Sequence, residues 1–162
     1  MRVGFGYDSH RFAEGRRLVL GGVEFPGETG LAGHSDADVL SHAIIDALLG
    51  AAALGDIGSH FPDTDDRWKD ADSVAMLADV AREVRAAGWS ISNVDATVIC
   101  ERPRLRPCIE MLRERIASAM GVGKGRVSVK GKTNEKMDDV GAGVGIEVHA
   151  VALIEESSGV QK

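Results

Sequence analysis

Between residues 33 and 62 the chain reads GHSDADVLSHAIIDALLGAAALGDIGSHFP, and its apolar positions recur with the period of a helix. Val39, Leu40, Ile44, Ala47, Leu48 and Ala51 fall on one side. Asp38, His42 and Asp46, spaced four apart, line the other. A carboxylate, imidazole, carboxylate stripe suits either a ferritin-like bundle or a mononuclear metal site completed from elsewhere in the chain. Ser35 and Asp38 match the S-x-x-D capping pattern, which predicts Ser35 as N-cap and makes Asp38 chiefly part of the cap. Gly50 and Gly55 bracket the end of the helix, and residues 55–65 have the Gly, Pro and Asx content of a long ordered loop.

Elsewhere the period alternates between two and 3.6. Residues 2–7 set Val3, Phe5 and Tyr7 against Gly4 and Gly6, a short strand with close backbone neighbours. Residues 18–20 and 23–25, parted by Gly21 and Gly22, read as a hairpin. A second helix is predicted from Asp72 or Ser73 to residue 87, with Gly88 after it. Residues 91–100 form the strongest strand, with Val94, Ala96 and Val98 opposite Asp95, Thr97 and Ile99. A third helix has Pro107 in its first turn, the stripe Ile109, Leu112, Ile116 and Ala119, and Gly121 at its end. Strands at 127–130 and 146–154 flank a polar turn at Thr133, Asn134 and Glu135. The expected class is α/β (α+β): a single two-layer domain, a mixed sheet with helices on one face. Residues 1–156 are the domain, and 157–162 a polar, flexible tail.

Composition narrows the function. A chain of 162 residues with 44% hydrophobic content builds a core without staples. There is no apolar run of the ~20 residues a membrane span needs, and the first residues do not read as a signal peptide, so a cytoplasmic location is expected. The net charge of −6 argues against a nucleic-acid partner. Positive charge is nonetheless grouped, as Arg102, Arg104 and Arg106 and as Lys130, Lys132 and Lys136, which suits a small anionic ligand. Cys100 and Cys108 form no CxxC pair and read as two buried thiols. Residues 121–125 lack the GK[ST] ending of a phosphate loop, and residues 141–145 are too generic to imply a cofactor.

Asp8 and His10, two apart in an extended segment, project to the same side. With His42 they make three ligands of the kind catalytic zinc takes while keeping a fourth position open. Asp46, one turn beyond His42, holds an imidazole, meets a substrate or is simply a solvated helix carboxylate. Glu135, beside Thr133 and three lysines, offers a carboxylate of the kind that holds magnesium together with substrate phosphates.

Taken in order, the motifs Gly4-Phe5-Gly6-Tyr7-Asp8-Ser9-His10, His34-Ser35-Asp36-Ala37-Asp38, Gly55-Asp56-Ile57-Gly58, Phe61-Pro62-Asp63-Thr64-Asp65, Asn93-Val94-Asp95 and Thr133-Asn134-Glu135-Lys136 span nearly the whole chain. The sequence resembles the 2-C-methyl-D-erythritol 2,4-cyclodiphosphate synthases of the non-mevalonate isoprenoid pathway. The resemblance implies a homotrimer with active sites between subunits, in which the 2-phosphate of 4-diphosphocytidyl-2-C-methyl-D-erythritol 2-phosphate attacks the β-phosphorus and releases CMP. It implies zinc on Asp8, His10 and His42, and magnesium or manganese on Glu135. His34 and Thr133 would stabilise the transition state. Asp8, Ser9, His10, His34, Ser35, Asp56, Ile57, Gly58, Phe61, Pro62, Asp63, Thr64 and Asp65 would face the erythritol phosphate end. Cys100, Glu101, Arg102, Pro103, Arg104, Leu105, Arg106, Lys132, Thr133, Asn134 and Glu135 would form the cytidine and diphosphate pocket of the adjacent subunit.

The chain departs from the family pattern in places. Arg104 stands where Lys is frequent, and Lys132 where a small residue is usual. Asp139 and Ala142 stand where some members use an aromatic and an arginine to bind an isoprenoid diphosphate on the trimer axis, so that site is not expected here. His149 reads as a core or interface histidine. Two other readings use the same residues: a zinc-dependent phosphohydrolase, and a non-catalytic trimeric nucleotide-binding protein. Because protonated imidazoles do not ligate metal, activity is expected to fall below about pH 6. A pH–rate profile checks this, and a flat profile to pH 5 with retained zinc would contradict it.

Overall fold

The computed structural model describes residues 1–157, so all of the expected tail except Ser157 lies outside the described residues. Its strands are β1 (Arg2–Ala13), β2 (Val19–Leu20), β3 (Val23–Glu24), β4 (Gly30–Leu31), β5 (Trp89–Ile99), β6 (Val127–Lys132) and β7 (Gly145–Glu156). Its helices are α1 (Val39–Ala52), α2 (Ile57–His60), α3 (Ser73–Ala86), α4 (Ile109–Met120) and α5 (Asp138–Gly141). The main sheet has the order β4-β1-β7-β5-β6, and β2 and β3 form the separate hairpin. β1, β7 and β5 are antiparallel neighbours, whereas β5 and β6 run parallel. Parallel neighbours need a crossover, and α4 supplies it. The mixed sheet with its helical layer is the expected architecture.

β1 runs to Ala13, well past the expected end, and pairs with β7 from Arg2 opposite Ile154 to Arg11 opposite Gly145. Asp8, Ser9, His10 and Arg11 show no apolar alternation, but the β7 ladder holds them extended all the same. β4, which pairs with the end of β1, was not expected at all.

Helix α1 begins at Val39, not near Ser35. Ala37 takes a left-handed conformation with φ +58, which breaks any helix between Ser35 and Asp38. Asp38 is the N-cap, accepting hydrogen bonds from the Ser41 N–H and hydroxyl and from the Gly21 and Gly22 N–H groups. It is fully buried against the β2–β3 hairpin and is lost to the polar stripe. The helix ends on Ala53, also left-handed, rather than on a glycine. α3 starts at Ser73, within the expected bounds and capped by Asp72, and Gly88 follows it at φ +88. α4 is preceded by a 3-10 turn, Arg106–Cys108, and ends on left-handed Gly121. The loop at 55–65 contains α2, and a 3-10 turn, Asp66–Trp68, follows it.

α1 packs on β1 and β7 on one side and on α3 on another, so it is buried almost all round. Close contact is possible because β1 offers glycine there. A Cβ at Gly4 would lie 1.9 Å from the Ala47 carbonyl oxygen, and one at Gly6 1.9 Å from that of Ala43. The alternate residues Val3, Phe5 and Tyr7 therefore point to the helix-free face, where they are 67%, 60% and 47% exposed. His149 stands on that face between Phe5 and Tyr7, paired with Glu147, and is not a core residue. Cys100 is buried and Cys108 half-buried, both as free thiols. None of the described helices is long and apolar enough to cross a membrane.

Gly4→Ala and Gly6→Ala are each expected to cost about 3 kcal/mol or more, because the added methyl meets backbone that cannot retreat. Gly123→Ala, with nothing within 4 Å of its Cβ position, serves as the neutral control in urea unfolding.

Candidate metal centre

The strand parity that places Gly4 and Gly6 under α1 carries on to Asp8 and His10, which emerge on the helical side where α1 begins. His42, in the first turn of α1 and beside Ala43, meets them there. Asp8 Oδ2 lies 2.9 Å from His10 Nε2 and 3.0 Å from His42 Nδ1, and the two nitrogens are 3.4 Å apart. Among the described residues, Asp8, His10 and His42 are the group able to hold a metal ion. Donors about 2.0–2.1 Å from a tetrahedral zinc stand about 3.3 Å from one another, so this set fits a small divalent cation. The remaining ring nitrogens are occupied. His10 Nδ1 meets the Ala32 carbonyl, and His42 Nε2 meets the hydroxyls of Ser73 at 2.8 Å and Ser35 at 3.2 Å.

In the protein without metal, burial works against the Asp8 carboxylate, but hydrogen bonds and charge from His10 and His42 outweigh it. Its pKa sits well below the carboxylate range. For His10, burial is likewise outweighed by the hydrogen bond and charge of Asp8, which raise its pKa above 6.5. Cys100 is no thiolate nucleophile, since burial and the charge of Glu101 push its pKa up to about 11.

Asp46 neither bonds an imidazole nor stands free in solvent. Its carboxylate accepts from the Ile57 N–H at 2.8 Å, tying α1 to the start of α2. Burial raises its pKa against that bond. His34 reaches the Asp65 carbonyl at 3.3 Å, which draws the far end of the loop to the same region. Asp56 caps α2 through the Ser59 N–H and hydroxyl, Asp65 caps the following 3-10 turn through Arg67, and Phe61 stacks edge-on against Trp68. Asp63 and Thr64 are exposed. Ser9 lies on the outer face by strand parity, and its N–H bonds Asp8 Oδ1.

The second set of residues gathers separately. Cys100, Glu101, Pro103, Arg104, Leu105, Arg106, Lys132 and Thr133 line a cavity of about 480 Å³. Arg102, joined to Pro103 by a cis peptide bond, lines a neighbouring cavity with Lys136 and Ala142. Glu101 accepts from the Asn134 N–H at 3.0 Å and binds the two loops together. The Thr133 hydroxyl donates to Glu135 at 2.6 Å, and Glu135 and Lys136 both hold positive φ, +50 and +62. β6 is three strand positions from β1, roughly 14 Å at ~4.8 Å per step, so the end of β6 stands away from Asp8 and His10, while Glu101 and Arg102 line a cavity with Phe12 and Glu14. Sequence reasoning missed Ala32 and Ser73. Ser73 read as a helix start, and nothing in its spacing reports that its hydroxyl turns inward.

Asp8→Asn removes the pairing charge, with an expected cost to the metal-free protein of about 1.5–3 kcal/mol. The raised His10 contributes stability in full below the unfolded value of about 6.5 and loses it as pH rises through the folded value. The depressed Asp8 contributes above about 4 and loses it as pH falls through its folded value. The difference between variant and wild type in urea unfolding is therefore expected to peak between about pH 4 and 6.5.

A family model described as the YgbB family matches residues 1–155. The 2-C-methyl-D-erythritol 2,4-cyclodiphosphate synthase of Syntrophomonas wolfei is 57% identical over 157 residues, 97% of this chain and 100% of that protein. Among solved structures, the bifunctional IspDF of Campylobacter jejuni superposes with a TM-score of 0.92 at 37% identity, covering 96% of this chain and 42% of that one. The CDP complex of IspF from Plasmodium falciparum superposes with a TM-score of 0.85 at 31% identity, covering 97% of each chain. A family match over nearly the whole length, a relative of nearly equal length and a shared fold lead to one conclusion: the chain belongs to the YgbB family.

Proposed function

We propose that the protein is a cytoplasmic phosphorus-oxygen lyase of the non-mevalonate pathway. It cyclises 4-diphosphocytidyl-2-C-methyl-D-erythritol 2-phosphate to 2-C-methyl-D-erythritol 2,4-cyclodiphosphate and releases CMP. The observation that carries the reading is the convergence of Asp8, His10 and His42 at the head of α1 in a chain so similar to named synthases. The bond formed joins a 2-phosphate oxygen to the β-phosphorus. The bond broken joins that phosphorus to the oxygen bridging to the α-phosphate, whose electron pair leaves with CMP. The nucleophile is already part of the substrate, so positioning and charge neutralisation are the whole task.

Asp8, His10 and His42 would hold zinc, and Glu135 magnesium or manganese. When bound, the two ions supply positive charge to the diphosphate oxygens. The chain does the rest. His34 and Ser35, with Asp56, Ile57, Gly58 and Phe61 to Asp65, fix the erythritol phosphate end, the Asp46–Ile57 and His34–Asp65 bonds tying this loop to α1 and the segment before it. Cys100 to Arg106 and Lys132 to Glu135 seat the cytidine diphosphate, with the Glu101 bond keeping the two loops in register. His34 and Thr133 would donate to oxygens of the transferred phosphoryl group as charge develops on them.

The ends of β1 and β6 that carry the two sets are three strand positions apart, and Val3, Phe5, Tyr7 and Val151 leave an apolar face without a helical cover. Both features support a homotrimer whose sites are completed by a neighbouring subunit. The domain in this reading is residues 1–156.

Incubation with the cytidyl substrate and magnesium is expected to yield CMP and the cyclic diphosphate in equal amounts. Linear phosphate products would identify a phosphohydrolase instead, and the absence of CMP would reject catalysis. Asp8→Ala and His42→Ala are each expected to lower kcat by roughly a hundredfold or more. Co-expression of Asp8→Ala with Glu135→Ala is expected to recover part of the activity, because mixed trimers contain intact shared sites; sedimentation should show three chains.

A further inference from the structure

We infer that Ser73, backed by Asp36, is the positioning residue that decides which nitrogen of His42 is free to receive a metal; this rests on the metal reading above. Ser73 is completely buried, and its hydroxyl oxygen has three polar neighbours: an Asp36 carboxylate oxygen, His42 Nε2 at 2.8 Å and the Ser35 hydroxyl at 3.3 Å. A carboxylate only accepts, so the single Ser73 proton goes to Asp36. Toward His42 the same oxygen can then act only as acceptor. With the Ser35 hydroxyl, 3.2 Å from Nε2, turning its proton to the Ser73 oxygen, Nε2 carries the ring hydrogen and Nδ1 is the nitrogen that faces Asp8.

Capping does not account for this arrangement. The first free N–H groups of α3, on Val74 and Ala75, are already taken by Asp72, and Asp36 also accepts from the Ser73 N–H at 3.2 Å. Nor is the Ser73 hydroxyl needed as a second donor to solvent, because no part of it is exposed. The other imidazole is set in the opposite sense by backbone: His10 Nδ1 donates to the Ala32 carbonyl, leaving Nε2 for the site. The two rings thus offer different nitrogens to one point. Only the His42 arrangement depends on side chains, and it can therefore be reversed. With Asp36 gone, the Ser73 proton is free to turn to Nε2, which favours hydrogen on Nδ1 and opposes ligation.

Two readouts test this. Zinc affinity of the metal-free protein is measured by competition with a chromophoric chelator, and the His42 Nε2–H proton is followed by NMR without metal. Ser73→Ala is expected to weaken zinc binding roughly tenfold and to lose the slowly exchanging Nε2–H signal. Ser73→Thr, which keeps the acceptor, is expected to restore both. Asp36→Ala, at a less buried position, is expected to abolish the Nε2–H signal and weaken zinc even if Ser73→Ala proves unstable. Persistence of the signal with wild-type zinc affinity in a folded Asp36→Ala or Ser73→Ala protein overturns the assignment. If the wild type takes up no zinc while the signal still depends on Ser73 and Asp36, the metal reading falls and the orienting role stands. If zinc binds tightly and neither variant changes signal or affinity, the orienting role falls alone.

Discussion

Everything at the candidate centre depends on how near α1 comes to β1. With no Cβ at Gly4 or Gly6, the carbonyl oxygens of Ala47 and Ala43 sit where side-chain carbons would otherwise be, and Ala51 completes the close run. A side chain at Gly4 or Gly6 would separate the two backbones, and with them the ligands. His42 precedes Ala43 by one residue, and Asp8 follows Gly6 by two. The backbone contact therefore carries the imidazole to within 3.0 Å of the carboxylate without a long side chain spanning the gap. Rigid elements in close packing hold a site to tighter tolerance than loops do.

That same contact divides the sheet. Because the glycine face is the buried one, the large alternate residues of β1 face away from the core, together with Val151 and His149 of β7. The outer face is apolar for a reason internal to the packing, and the proposed trimer would use it. The grouping of charge follows a comparable logic. The chain is acidic overall, yet Arg104, Arg106 and Lys132 line one cavity, so that a polyanionic ligand meets local positive charge rather than the net field.

The regular elements were largely legible in the sequence. Asp72, Gly88, Pro107 and Gly121 mark helix ends through local backbone chemistry, and the burial of Val94, Ala96 and Val98 follows their alternation. The start of α1 is not where the spacing of Ser35 and Asp38 places it, because the left-handed Ala37 between them has no signature in its residue type. Strand β1 was cut short because Asp8 to Arg11 owe their extended form to the β7 ladder, not to their own pattern. Asp38 caps the helix as its spacing implies, and Asp46, open between an imidazole, a substrate and solvent in the sequence, takes none of these partners. Each satisfies backbone N–H groups, of Gly21 and Gly22 in one case and of Ile57 in the other.

What the sequence by itself determined is the chemistry available and the local geometry that delivers it: two ligating groups two apart on a strand, a third in a helix, and basic groups near a turn. Those are short-range properties, set by residue type and by the periods of two and 3.6. Which of the polar residues on α1 faces the site, which nitrogen of each imidazole is free, and how far the two clusters stand apart were decided by tertiary structure alone. Each depends on partners distant in the chain: Ala32 for His10, Ser73 and Asp36 for His42, and two intervening strands for the clusters. A hydrogen bond has a direction only when both of its ends are in place, and for these residues the second end is supplied by folding.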